Sequence, residues 1–152
     1  MMCAVFPSMN IDGRESRQSV LLIDDDESVA GSLFQYLLAQ GCEVDVAVDQ
    51  ASASALMDVR QYDVIVVDPY FTGGVLQDHG ALLAMIRGQQ PLAALIVFTG
   101  YESSSVTVVA ERVGASAILT KPQPLPFLSQ TIVDAFPASA AGFFRSPPPV
   151  KG

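Results

Sequence analysis

The hydrophobic residues of this chain form short continuous runs that are separated by longer amphipathic stretches. Three of the runs contain four apolar residues and no polar one, which is typical of strands buried on both faces of a sheet. Another stretch alternates valine with polar residues, which predicts a strand nearer the sheet edge. The predicted strands are residues 20–23, the alternating valines Val44, Val46 and Val48, residues 64–67, residues 95–98 and residues 117–120.

Helical periodicity fills the intervals between the predicted strands. After the first strand, apolar residues recur at the spacing of one helix face, and Gly41 is a typical residue at which a helix ends. These apolar residues are Val29, Leu33, Leu37 and Leu38. The other predicted helices are residues 51–58 with Asp49 as a cap, residues 81–87 ended by Gly88, residues 103–113 ended by Gly114, and residues 125–136.

The alternation of five strands with five helices predicts an α/β fold. Successive strand–helix units favour a parallel sheet with helices on both faces. We predict a three-layer, doubly wound, five-stranded parallel sheet of the flavodoxin-like strand order 2-1-3-4-5. Residues 1–18 are predicted to be a flexible lead-in, residues 19–136 the domain, and residues 137–152 a Pro-rich tail.

Composition and charge exclude several classes of function. The length of 152 residues suits one domain, and the net charge of −8 argues against nucleic-acid binding. No apolar run approaches the roughly 18 residues that a membrane span needs. The two cysteines, Cys3 and Cys42, are predicted to be reduced thiols. We therefore expect a cytoplasmic protein that binds neither nucleic acid nor membrane through this chain.

Polar residues end four of the five predicted strands. They are Asp24, Asp25 and Asp26 after the first strand, Asp68 after the third, Thr99 after the fourth and Lys121 after the fifth. Ligands of a doubly wound sheet bind beyond the carboxyl ends of its strands, so these side chains should share one rim. Clustered carboxylates need a cation or raised pKa values, and oxygen ligands suit Mg²⁺. With the Lys121 charge and the Thr99 hydroxyl, the rim would form a phosphoryl-transfer site with an aspartate as acceptor.

At this point residues 19–136 resemble the receiver domain of two-component response regulators. The matching positions are the acidic pair Asp24 and Asp25, the phosphoacceptor Asp68, the Ser/Thr switch residue Thr99 followed by Gly100, and the lysine Lys121 followed by Pro122. Each motif alone is weak. Their order and their placement at strand ends make the resemblance specific.

The resemblance implies a phosphoacceptor domain rather than an enzyme, with at most self-phosphorylation from small donors and self-dephosphorylation. A histidine kinase or a phosphotransfer protein would donate the phosphoryl group to Asp68, and Thr99 and Lys121 would hold its oxygens. The Lys121–Pro122 bond is expected to be cis. Downstream, the domain would signal to another protein, and a homodimer through the face of the fourth helix, fifth strand and fifth helix is a further expectation.

Magnesium is the cofactor that the resemblance implies. Asp25 and Asp68 would bind Mg²⁺ directly, and Asp24 would bind it through water. The backbone carbonyl of Tyr70 would be a further ligand. Asp26 is expected to cap the first helix instead of binding the metal.

The chain departs from the family pattern in three places. The segment from Pro69 to Gly80 is longer than usual by about four residues, and Pro69 removes a backbone donor beside Asp68. The aromatic residue that is common three positions before the lysine is Ile118 here, with Tyr101 as a candidate substitute. No output domain is expected in the tail, so signalling would depend on protein contacts.

Three other functions stay open on the sequence. A receiver-like module could be silent in phosphorylation and act through protein contacts alone. Residues 24–28 imitate the Asp-x-Asp-x-Ser/Thr signature of haloacid-dehalogenase-like phosphatases, although only Asp134 follows the lysine where that family needs an acidic pair. Flavin binding needs a phosphate-cradling loop after the first strand, where this chain has three aspartates. His79, the only histidine, is predicted to be an exposed loop residue.

Overall fold

The five predicted strands form one parallel sheet in the computed structural model, which describes residues 18–70, 79–100 and 104–136. The elements are β1 (Ser19–Ile23), α1 (Glu27–Ala39), β2 (Glu43–Ala47), α2 (Gln50–Val59), β3 (Val64–Val67), α3 (His79–Gln89), β4 (Ala94–Thr99), α4 (Ser104–Arg112), β5 (Ala117–Thr120) and α5 (Leu125–Ala135). The strand order is β2-β1-β3-β4-β5. The predicted fold class and strand order are therefore confirmed.

The central strands owe their burial to helices on both faces of the sheet. Every residue of β1 and β3 is buried, as the uninterrupted apolar runs predicted. On one face, α2, α3 and α4 pack through residues such as Met57, Leu83 and Val106. On the other face, α1 and α5 pack through residues such as Leu37 and Ile132. The three predicted layers result from these two hydrophobic cores.

The helix boundaries follow the caps that the sequence provides, with one exception. Asp49 caps α2, and its carboxylate accepts a hydrogen bond from the Ser52 amide at 2.8 Å. Gly41 and Gly114 follow α1 and α4 with positive φ angles of 92° and 78°, a conformation that favours glycine. The prediction that α3 ends at Gly88 is wrong, because the helix continues to Gln89.

The start of α3 also differs from the prediction. His79 is the first residue of this helix instead of a loop residue. Ser103, the predicted first residue of α4, lies outside the described residues, as do the predicted N-terminal lead-in up to residue 17 and the tail from residue 137. Within the described part of the chain, no helix combines the length and apolarity needed to span a bilayer.

Two polar side chains, Arg87 of α3 and Gln90 in the turn after it, fasten the end of the sheet where the strands begin. Gln90 is fully buried, accepts the Tyr62 amide at 2.9 Å, and donates to the carbonyls of Met57 and Arg60, each at 2.9 Å. Arg87 donates instead to the chain that leads into β4 and β5. Its guanidinium reaches the carbonyls of Ala93 at 2.6 Å, Val113 at 2.8 Å and Gly114 at 3.4 Å. These bonds satisfy backbone carbonyls that no helix or strand pairs.

Charged side chains cover the same end of the edge strand β2. Arg60 binds Glu43 at 2.7 Å and Asp45 at 3.1 Å, and the Tyr62 hydroxyl donates to Asp45 at 2.7 Å. Burial of the phenol, together with the adjacent Asp45 carboxylate, raises the pKa of Tyr62. Charges at an edge strand discourage pairing with a further strand.

Candidate functional site at the carboxyl ends of the strands

The sheet brings the predicted site residues to one rim because each of them closes a parallel strand. Ile23 and Val67 are partners in the β1–β3 register, so Asp24 and Asp68 emerge side by side. The Asp68 amide donates to the Ile23 carbonyl at 2.9 Å. At the other side of the rim, Thr99 pairs in register with Thr120, immediately before Lys121.

Lys121 joins the two aspartates directly. Its Nζ donates to Asp24 Oδ2 at 2.7 Å and to Asp68 Oδ2 at 3.0 Å. The side chains of Lys121, Asp24 and Asp68 are only 15, 9 and 12% exposed. One ammonium is therefore shared by two poorly hydrated carboxylates, and the trio carries a net formal charge of about −1 when all three groups are ionised.

The second oxygen of each carboxylate is held by a local turn. Asp24 Oδ1 accepts the backbone amide of Asp26 at 2.9 Å, and Asp68 Oδ1 accepts the backbone amide of Tyr70 at 2.9 Å. In both cases the donor lies two residues ahead, which is the geometry of an Asx-turn. Each aspartate thus has one oxygen fixed by its own backbone and one oxygen facing Lys121.

Burial and charge shift the pKa values of Asp24 and Lys121. Burial raises the pKa of Asp24 more than the hydrogen bond from Lys121 lowers it, and the nearby Asp68 charge raises it further. For Lys121, burial alone would lower the pKa, but the hydrogen bonds to Asp24 and Asp68 outweigh it and raise the pKa above its usual value. The raised pKa values of Asp24 and Lys121 are consistent with each other. Two carboxylates hold the single ammonium in its charged form, but that ammonium offsets the burial of Asp24 only in part.

The remaining aspartates after β1 have different environments. Asp26 is the N-cap of α1, where its carboxylate accepts the amides of Ser28 at 3.2 Å and Val29 at 3.3 Å, so its predicted capping role is confirmed. Hydrogen bonds from the Ser28 hydroxyl and the Val29 amide lower the pKa of Asp26. Asp25 is exposed at the rim.

Thr99 and the cis peptide complete the rim. Thr99 is 1% exposed, and its carbonyl accepts the Lys121 amide at 2.9 Å. This bond ties the backbone of Lys121 to the end of β4. The Lys121–Pro122 bond is cis, as predicted.

An aromatic ring that the sequence analysis missed lies beside the ammonium. Phe98, in β4, has its ring centroid 5.6 Å from Lys121 Nζ, within the range of a cation–π contact. Ile118, which stands where the family often has an aromatic residue, packs against the core of α2, α3 and α4. Tyr101, the predicted substitute, lies outside the described residues. The sequence does not indicate this contact, because Phe98 ends an apolar run that predicts only a buried strand.

The donor set of the rim fits a hard cation in part. Asp24 and Asp68 place carboxylate oxygens side by side, which is the ligand type that Mg²⁺ prefers, and Lys121 donates a hydrogen bond to one oxygen of each. Across residues 18–70, 79–100 and 104–136, no three Asp, Glu, His or Cys side chains are arranged as a metal cluster. Asp24, Asp25, Asp68 and the Tyr70 carbonyl therefore all stay predicted ligands. The loop at residues 71–78, predicted to be unusually long, lies outside the described residues.

Known proteins share this arrangement of the fold. The family model described as response regulator receiver domain matches residues 20–133. The photosynthetic apparatus regulatory protein RegA of Rhodovulum sulfidophilum is 31% identical over 104 residues, which are 68% of this chain and 55% of that protein. A Putative response regulator NtrX-like of Rickettsia conorii is 26% identical over 70% of this chain and 22% of its own length. The chain thus matches about half or less of these curated relatives.

Solved structures agree with the family match. A response regulator protein from Burkholderia pseudomallei, solved with a phosphorylated aspartic acid, calcium ion and citrate, superposes with a TM-score of 0.67 and 30% identity over 82% of this chain and 69% of that chain. The beryllofluoride-activated NtrC4 receiver domain dimer has a TM-score of 0.68 and 31% identity over 78% of this chain and 95% of that chain. The chain therefore belongs to the response regulator receiver domain family.

Proposed function

We propose that this receiver domain accepts a phosphoryl group on Asp68 and passes the signal on through protein contacts. The observation that carries the proposal is the shared ammonium: Lys121 Nζ lies 3.0 Å from Asp68 Oδ2 and 2.7 Å from Asp24 Oδ2. A buried cation beside the acceptor carboxylate can neutralise the charge that a transferred phosphoryl group brings.

The chemistry at Asp68 is a nucleophilic substitution at phosphorus. A carboxylate oxygen of Asp68 attacks the phosphorus, an acyl phosphate bond forms, and the bond to the donor atom breaks. Lys121 shifts from the carboxylate to a phosphoryl oxygen, since it is the one cation in contact with Asp68 among the described residues. Thr99, at the adjoining strand end, supplies a hydroxyl for another phosphoryl oxygen. Bound Mg²⁺, held directly by Asp25, Asp68 and the Tyr70 carbonyl and through water by Asp24, would neutralise further charge on the phosphoryl oxygens.

The partners follow from the same chemistry. A phosphohistidine of a histidine kinase or of a phosphotransfer protein is the proposed donor, and a further protein reads the phosphorylated state. Support comes from the phosphorylated aspartic acid and calcium ion in the Burkholderia pseudomallei regulator. The dimer of the NtrC4 receiver supports a homodimer as one output, and we propose the face of α4, β5 and α5 for it.

The proposal is tested by incubating the protein with acetyl phosphate and Mg²⁺ and measuring the intact mass. One added phosphoryl group is expected, and it should be lost in Asp68→Asn and in the presence of EDTA. Asp134→Asn is the matched control, because Asp134 is exposed on α5, where its carboxylate accepts a hydrogen bond from Gln130 at 2.9 Å. This variant should be phosphorylated like the parent. No phosphoryl group under any condition would refute the proposal and favour the silent interaction module.

A further inference from the structure

We propose that Phe98 is a positioning residue whose ring face holds the Lys121 ammonium in place for phosphoryl transfer. This inference rests on the proposed function, because it assigns Phe98 a part in that reaction. Its basis is the 5.6 Å distance between Lys121 Nζ and the Phe98 ring centroid.

The Phe98 ring is held in place by the hydrophobic core around it. Phe98 is 3% exposed and belongs to the hydrophobic cluster of α1 and α5. It pairs in register with Leu119 of β5, two residues before Lys121. The next residue, Thr99, accepts the Lys121 amide. The backbone and the ring therefore approach Lys121 from the same strand, and both are fixed by the sheet.

The ring and the carboxylates hold the ammonium in different ways. Asp24 and Asp68 bind it through two charged hydrogen bonds, and the Asp68 bond must change when that carboxylate becomes an acyl phosphate. The attraction between a cation and a ring quadrupole does not depend on the state of Asp68. A desolvated contact of this type keeps the ammonium near the rim while it exchanges a carboxylate oxygen for a phosphoryl oxygen.

An aliphatic side chain at position 98 would fill the core without this attraction. The cation–π contact with Lys121 is therefore what phenylalanine provides at position 98 and leucine would not. Phe98 thus brings an aromatic side chain to Lys121 from β4. Ile118 of β5 packs on the opposite face of the sheet.

The test replaces Phe98 by 4-fluoro-, 3,5-difluoro- and 3,4,5-trifluorophenylalanine, which weaken the ring quadrupole with little change in size. We expect the rate constant for phosphorylation by acetyl phosphate to fall stepwise, by about threefold to tenfold in total, the range that corresponds to a partly desolvated cation–π contact. The matched control is the same series at Phe136, which is 6% exposed in the same cluster; its rate constants should stay constant. Melting temperatures of both series report on packing.

Each outcome separates the two proposals. Rate constants that are unchanged across the Phe98 series, in a protein that is phosphorylated normally, would overturn the role of Phe98 and leave the proposed function intact. Equal losses of rate in the Phe98 and Phe136 series would assign the effect to packing and would also overturn it. A parent protein that is not phosphorylated on Asp68 would refute the proposed function and the Phe98 inference together.

Discussion

Replacing Lys121 by methionine should destabilise the domain through the two aspartates it leaves behind. The substitution removes two hydrogen bonds to charged groups, at 2.7 and 3.0 Å, and each such bond contributes about 1.5–3 kcal/mol. Removing one partner of a buried ion pair typically costs about 3–5 kcal/mol. Because the three side chains keep some contact with water, we expect the free energy of unfolding to fall by about 3 kcal/mol at pH 7.

The loss should depend on pH in a direction set by Asp24. The pKa of Asp24 is raised by burial even with Lys121 present, and removal of the ammonium raises it further. The folded variant therefore binds protons more readily than its unfolded chain, so its deficit shrinks as the pH falls toward the usual range of a carboxyl group. In the parent, the raised pKa of Lys121 keeps its contribution present at every pH below about 10.4 and loses it only above. The change in the deficit below neutral pH thus reports on Asp24 and not on Lys121.

Urea unfolding followed by circular dichroism, in EDTA at pH 7 and pH 4.5, measures both effects. We expect the deficit at pH 4.5 to be smaller than that at pH 7, because the raised pKa of Asp24 favours its neutral form as the pH falls. In Lys121→Met with Asp24→Asn, most of the deficit at pH 7 should disappear, because one buried charge is removed. Arg112→Met, at an exposed position of α4, is the control and should change stability by less than about 0.5 kcal/mol. A deficit of equal size at both pH values would contradict this explanation.

Three further outcomes follow from the rest of the structure. Gln90→Leu should lower the free energy of unfolding in urea by about 3–5 kcal/mol, because one buried amide and two carbonyls lose their hydrogen-bond partner. Gln89→Leu, at a partly exposed position, should lower it by under about 1 kcal/mol. Equal losses in the two variants would contradict the role assigned to the buried hydrogen bonds. Burial, with the charge of Asp63, raises the pKa of Cys42 to about 11, so maleimide should label it at pH 7 only after unfolding, as peptide mass mapping can check. Gly88→Ala should stabilise the protein by about 0.5–1 kcal/mol, and Gly114→Ala should destabilise it by a similar amount because the φ of Gly114 is +78°. Melting temperatures that shift in the same direction for both variants would contradict the backbone conformations of these two glycines.

Much of the fold followed from local pattern. The uninterrupted runs of β1, β3 and β4 could be assigned to the sheet interior because only strands covered on both faces tolerate them. Four of the predicted rim positions could be placed because parallel strands end at one edge. Asp26 and Asp49 were identifiable as caps because capping depends on residues within one turn.

The missing parts depend on long-range contacts. The predicted need for a cation beside clustered carboxylates is met in this structure by Lys121, and the pKa of Asp24 is raised as well. The Phe98 contact depends on the register of β4 with β5, which no short window of sequence contains. Gly88 lies inside α3, which continues to Gln89, although glycine usually follows the last residue of a helix.

The bonds of Arg87 fasten the C-terminal end of α4 to α3. At the C-terminal end, the guanidinium of α3 grips the carbonyls of Val113 and Gly114 that follow the helix. At the N-terminal end, α4 begins with the exposed residues Ser104 and Ser105, after the strand that ends in Thr99. A shift of α4 along its own axis would break the hydrogen bonds from Arg87 to Val113 and Gly114. A partner that binds across α4 therefore meets a helix whose C-terminal end is fixed in position by α3.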